Sequence, residues 1–185
     1  VATMWLGARL AAGVENGVLL LDANINLTGN AAANTLQGNA GRNVLSGGAG
    51  TDTVLLDAPL SAYRFLRQSN GDVLIGFLDP AAGQADRLVG IERVQSIVTG
   101  ESVDLATLAM PTVRHYMASH PELAALFGDD EAAAAEHFLT QGQPQGLSVD
   151  GGWQITTGTA GNDQVVGTAA REALFGLAGN DHLSG

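Results

Sequence analysis

Cysteine is absent from the 185 residues, which excludes disulfide stapling and thiolate metal sites without identifying a compartment. Aromatic residues are scarce at 5%, against 45% hydrophobic residues overall, so the side chains available for burial are mostly small. Basic residues are also few. Eight stand against 19 acids, and the net charge of −11 argues against nucleic acid and anionic lipid as partners, because both need a basic surface. Metal cations suit such a surface better. No apolar run approaches the roughly 20 residues of a membrane span. Val1 to Leu10 has no basic region before an apolar run, so neither an export signal nor an anchor is visible. Val1 in place of Met, and Gly185 in the middle of a repeat, suggest a fragment of a longer protein.

What is present in excess is glycine, 25 residues of 185 against an ordinary share of about 7%, and its placement is periodic. From Gly29 the chain runs GNAAANTLQ, GNAGRNVLS, GGAGTDTVL, three blocks of nine. The large apolar residue falls at Leu36, Leu45 and Val54, and the spacing extends back to Leu27 and Val18. A second array begins at Gly158 with GTAGNDQVV, GTAAREALF, GLAGNDHLS, placing Val165, Leu174 and Leu183 in the same phase. Periodic glycine means repeated turns. Six residues per block suit a turn in which glycine supplies positive φ, and three suit a short strand with its aliphatic residue inward.

Both arrays follow GGxGxDxUx, with U a large aliphatic, and the chain resembles the RTX, or hemolysin-type calcium-binding, family. The resemblance implies parallel β-rolls in which two repeats make one coil. Turns 18 residues apart then face each other along one edge, with Ca2+ between them. Calcium takes 6 to 8 oxygen ligands, and glycine turns expose carbonyls able to supply most of them. In the second array the sixth-place residues are Asp163, Glu172 and Asp181, so Asp163 and Asp181 form a facing pair. The resemblance implies that the carbonyls of Thr159 and Gly161 join Asp163, and those of Gly176 and Ala178 join Asp181. Glu172 would need a partner beyond Gly185. In the first array the pair is Asn34 with Asp52, one formal charge where the consensus has two, and Ala32 replaces a turn glycine. A weak metal site or none is expected there, with asparagine bonding to backbone instead.

Between the arrays the pattern changes. Ser61 to Leu66 alternates, with Tyr63 and Phe65 on one face, Asn70-Gly71 is a hairpin turn signal, and Val73, Ile75 and Phe77 form the returning strand. The stretch from Gly83 through Ile91-Glu92 to Ile97 resembles a segment that closes RTX rolls in exported proteins. Ser96-Ile97 stand where an aromatic usually follows. It is expected to be a β cap over the open end of the roll, with Asp86 and Glu92 as turn and surface residues. Thr112 to Gln141 is helical: Pro121 suits a first turn, Gly128 a stop, and Asp129 or Asp130 a cap for the run from Glu131 to Thr140. Tyr116, Leu123, Leu126, Phe127, Phe138 and Leu139 are the expected anchors of this segment, which is similar to a helical module found beside RTX repeats.

No catalytic motif is found. His115, His120, His137 and His182 form no HExxH or comparable spacing, and there is no GxSxG elbow, P-loop or cysteine nucleophile. Trp5 and Trp153 are isolated. The expected fold is mainly β: an N-terminal β-roll over 1–57, a β cap over 58–110, a helical module over 111–148 and a second β-roll over 149–185. The expected function is a noncatalytic calcium-binding module, secreted or at the cell surface, that folds on calcium binding after type I secretion. The alternatives are an adhesin or surface-layer assembly module, or the noncatalytic tail of an exported hydrolase or epimerase. Calcium ions are the expected partners, together with neighbouring repeats or other copies of the same protein.

Overall fold

A computed structural model describes residues 7–168 and 171–185. Trp5 and the start of the expected first roll lie outside the described residues, as do Ala169 and Ala170. The chain divides into two compact units, Val1–Met110 with Phe138–Leu147, and Pro111–His137 with Ser148–Gly185.

The first unit is a roll of two sheets. One contains β1 (Ala8–Arg9), β3 (Leu27–Thr28), β5 (Val44–Ser46) and β9 (Asp86–Val89), all parallel. It continues antiparallel through β8 (Val73–Phe77) and β7 (Tyr63–Arg67). The other contains β2 (Asn16–Val18), β4 (Thr35–Gln37), β6 (Thr53–Leu56) and β10 (Arg93–Ser96), with β11 (Ser102–Asp104) antiparallel at its edge. These strands are short because each repeat gives only a few residues between turns. Burial across the coils stabilises them instead. Leu27, Leu36, Leu45, Val54, Leu88 and Val94 are each at most 1% exposed, and each contributes on the order of 1.5–3 kcal/mol by leaving water.

The structure corrects the backward extension of this ladder. Leu36 pairs with Gly17, not Val18, and Leu27 pairs with Ala8. The step is 18 residues between β4 and β6 but one longer below them, so Gly17 takes the inward place. A methyl at Gly17 would lie 3.0 Å from a Leu27 methyl and 3.1 Å from Leu10, which already fill that space.

The segment expected to cap the roll prolongs it. Leu45 pairs with Leu88 and Val54 with Val94, both in parallel register, so residues 86–96 form another coil. The hairpin of β7 and β8 is antiparallel with Phe65 opposite Ile75, and Gly71 at φ 94 makes its turn. It is inserted between one coil and the next, and edge pairing to β9 holds it.

In the second unit, α1 (Val113–Ser119) is capped by Thr112, whose hydroxyl accepts from the His115 amide. Pro121 opens α2 (Pro121–Phe127), Gly128 at φ 54 ends it, and Asp130 accepts from Ala133 at the start of α3 (Glu131–His137). Tyr116 is fully buried and its hydroxyl lies 2.8 Å from His137 Nδ1. Leu126, expected as an anchor, is 67% exposed, because the helix face beside Leu123 already meets the core. The helical segment does not stay together. Phe138–Gly142, a π-helical turn, belongs to the first unit, where Gln143 Nε2 donates to Phe77 O at 3.2 Å and Arg64 to Leu147 O at 2.9 Å.

The second roll pairs β12 (Gln154–Thr157) with β14 (Glu172–Phe175) and β13 (Gln164–Val166) with β15 (His182–Ser184), all parallel. Val165 is buried. Leu183, expected inside, is 44% exposed. The Arg114 guanidinium lies 4.6 Å from the Phe175 ring centre and 3.7 Å from the Glu131 carboxylate, joining this roll to α1 and α3.

Since Leu36 is wholly enclosed between coils, Leu36→Ala should lower the stability of the first unit by about 2–5 kcal/mol in chemical denaturation. Leu126→Ala, on an exposed helix face, should change stability by no more than about 0.5 kcal/mol.

Candidate metal centre

A turn folded back between strands leaves amides that no ladder satisfies, and buried amides require a partner. Two hydrogen bonds recur here for that reason. The sixth-place side chain first accepts from an amide in its own turn: Asn30 to Asn34 at 2.7 Å, Asn39 to Asn43 at 2.9 Å, Thr159 to Asp163 at 2.6 Å and Thr168 to Glu172 at 2.6 Å. It also accepts from the sixth-place amide of the preceding turn on the same edge. Asp163 donates to Asp181 Oδ1 at 2.9 Å, Asn34 to Asp52 Oδ1 at 2.7 Å, Asn43 to Asp86 Oδ1 at 2.7 Å and Asp52 to Glu92 Oε2 at 2.7 Å.

This brings together Asp163 and Asp181, the pair expected in the second array. Thr159 and Gly161 lie in the turn of Asp163, and Gly176 and Ala178 in that of Asp181. A Cβ added to Gly158 would fall 2.6 Å from Gly176 O and 2.8 Å from Asp163 Oδ2, so only glycine leaves the two oxygens facing each other there. Gly161 O lies just as close, 2.1 Å, to the Cβ position of Gly179. Glu172 accepts from the Thr156 hydroxyl at 2.8 Å as well as from Thr168.

Asn34 and Asp52 also lie in facing turns, but the Asn34 amide group is engaged elsewhere. Its Nδ2 donates to Val14 O at 3.3 Å and Asn30 Oδ1 at 3.3 Å. On the other edge Asn43 Nδ2 donates to Ile25 O at 2.8 Å. Asparagine therefore bonds to backbone, and its N–H groups serve acceptors that a cation would otherwise serve.

Two sixth-place residues, Asp86 and Glu92, lie outside the glycine-rich arrays. A signal for them was present: each stands two residues before a buried aliphatic, Leu88 or Val94, as Asp52 stands before Val54. Without the glycines, that triplet alone did not mark a repeat.

The donor chemistry fits calcium. The carboxylates of Asp163 and Asp181 and the carbonyls of Gly161 and Gly176 beside them are oxygen donors, the ligand type a hard cation takes. Among the described residues no three His, Cys, Asp or Glu side chains converge, so a cation would draw most of its shell from carbonyls.

Comparison with known proteins follows the same division of the chain. Residues 27–58 and 157–185 match the RTX calcium-binding nonapeptide repeat, in four copies. Among curated proteins none matches. The crystal structure of extracellular lipase LipA from Serratia marcescens aligns at 17% identity and a TM-score of 0.31, over 94% of this chain and 25% of that one. The chain thus spans about a quarter of that lipase's length.

Burial raises the pKa of Asp52, and Glu92 adds to the rise while the Asn34 amide opposes it. Asp86 is pushed further, up to about 7, by burial and then by the charge of Asp57, against the pull of the Asn43 amide. A carboxyl whose folded value lies above its ordinary 3.8 binds more protons folded than unfolded. Stability from this group is therefore fully present below about 4 and is lost as pH rises towards 7. In excess chelator, urea denaturation of the first unit should weaken across that window, and Asp86→Asn should flatten the profile.

Proposed function

The chain carries RTX calcium-binding nonapeptide repeats in both of its rolls, and on that ground we propose that it is a noncatalytic structural module of an exported protein, ordered by calcium after export. The observation that carries this reading is the pairing of Asp163 with Asp181 across stacked turns 18 residues apart, each carboxylate held by backbone amides. Bound calcium supplies positive charge between these turns and takes their oxygens as ligands. The residues of the chain do the rest. Glycine turns bring carbonyls up to the carboxylates, and the Thr159 hydroxyl, 2.9 Å from Asp163 Oδ2, orients that side chain.

The balance of forces favours coupling between binding and order. Among the described residues of the second roll the buried hydrophobic side chains are Val165 and Phe175, a thin apolar burial against the entropy of ordering glycine-rich turns. Calcium bound only by the ordered form adds about 2.7 kcal/mol when its free concentration exceeds Kd a hundredfold. Extracellular calcium modules have Kd of roughly 10⁻⁴ to 10⁻³ M, so such a site stays empty inside the cell and fills outside it. This suits a chain that crosses the envelope unfolded by a type I route and acts when secreted or at the cell surface. The acidic side chains of the roll turns are engaged in turn hydrogen bonds, an arrangement that supports a structural role over acid–base chemistry.

Calorimetric titration of the whole chain with calcium, alongside hydrogen exchange, tests the proposal. Asp163→Asn and Asp181→Asn should each weaken binding in the second roll at least about tenfold, and calcium but not magnesium should raise amide protection over residues 154–184. Unchanged isotherms in both variants, or full protection in excess chelator, would overturn it.

A further inference from the structure

The first roll continues past its glycine-rich repeats, and the added coil places a carboxylate where the repeats have none. β10 stacks on β6 with Val94 opposite Val54, so Glu92 stands above Asp52 as Asp52 stands above Asn34. Asp52 is thus held from both sides: its Oδ1 accepts from the Asn34 amide at 2.7 Å, and its own amide donates to Glu92 Oε2 at 2.7 Å.

Its other oxygen is different. Asp52 is 0% exposed and Oδ2 has no hydrogen-bond partner. A Cβ added to Gly47 would lie 2.3 Å from that oxygen and 2.3 Å from Gly90 O, so the two face each other across the glycine. Gly48 O, in the same turn as Asp52, lies 3.6 Å from the Cβ position of Gly90, so the Gly48 and Gly90 turns are also in contact. The described ion pairs include neither Asp52 nor Glu92. A buried carboxylate oxygen facing a carbonyl, with a second carboxylate beside it, lacks a positive charge.

The coil below shows what the alternative looks like. There Asn34 and Asn30 hold the sixth and second places of the repeat, and their amide N–H groups donate to Val14 O, at 3.3 Å and 2.8 Å, while Asn30 also reaches Ala11 O at 2.8 Å. Acceptors are satisfied from within the protein. Among the described residues no N–H group donates to Asp52 Oδ2.

Resting on the reading that these turns bind calcium, we propose that Asp52 and Glu92, with the carbonyls of Gly48 and Gly90, hold a calcium ion at the junction of the last glycine-rich turn and the coil that follows the hairpin. Glu92 lies 40 residues beyond Asp52 and outside the matched repeats, so the hairpin is spanned by the site. The Asn34 turn, satisfied by amides, takes no ion of its own.

The test is calcium titration of the whole chain, stripped with chelator, in three backgrounds. Glu92→Gln keeps an acceptor for the Asp52 amide but removes the charge. It should abolish one binding event, or weaken it at least about tenfold, and remove the calcium-dependent protection of residues 47–56 and 90–96. The double variant Asp163→Asn, Asp181→Asn should keep that event. Asp52→Asn should lose it and gain stability in chelator, since its amide would donate to Gly90 O as Asn34 donates below. If Glu92→Gln titrates like the parent while the double variant loses binding, this site is wrong and the function proposed above stands. If the double variant titrates like the parent while Glu92→Gln loses binding, the site stands and the second-roll assignment fails. Should Asp52→Asn fail to fold, Glu92→Gln decides alone.

Discussion

The hydrogen bond from a turn amide to the sixth-place side chain one coil further on is the constraint on which the rest of the structure depends. Asn34 to Asp52, Asn43 to Asp86, Asp52 to Glu92 and Asp163 to Asp181 are four instances of one contact. Each satisfies an amide that the short strands cannot reach, and each fixes the height at which one turn stands over another. Asparagine, aspartate and glutamate all supply the acceptor, so the roll tolerates exchange among them. Charge does not tolerate it. Asparagine brings N–H groups that close the turn from within, whereas a carboxylate brings acceptors alone.

A roll of this kind is nearly one-dimensional, because each coil touches only its neighbours. That is why a hairpin can be inserted between β6 and β9 without disturbing the coils on either side. The inserted residues leave the stack and return to it, and the closure of so long a loop adds little entropy beyond that of a shorter one. What must be preserved is the phase of the inward aliphatics, and Leu88 and Val94 preserve it. The helical segment obeys a different rule. Its parts separate between the two units according to where Gln143, Tyr116 and Arg114 find partners, not according to the continuity of the helix.

The ladder of Leu27, Leu36, Leu45 and Val54, the hairpin turn at Asn70-Gly71, the helix stops at Pro121 and Gly128, and the facing of Asp163 and Asp181 were all legible in the residues. Each rests on local chemistry: the period of an apolar side chain, the φ of a glycine, the missing amide of a proline. Gly17, Asp86 and Glu92 were not legible, and the reason is common to them. One added residue below β4 shifts the phase without leaving a mark, and an inserted hairpin hides the return to phase.

By itself, then, the sequence determined a mainly β chain of nine-residue repeats, their resemblance to calcium-binding turns, and the charge of each sixth-place residue, because these follow from residue type and spacing along one strand of chain. Only the tertiary structure decided which turns face one another. Facing is a relation between segments as far apart as Asp52 and Glu92, set by parallel pairing and by the burial of aliphatics from different coils, and no local spacing encodes it.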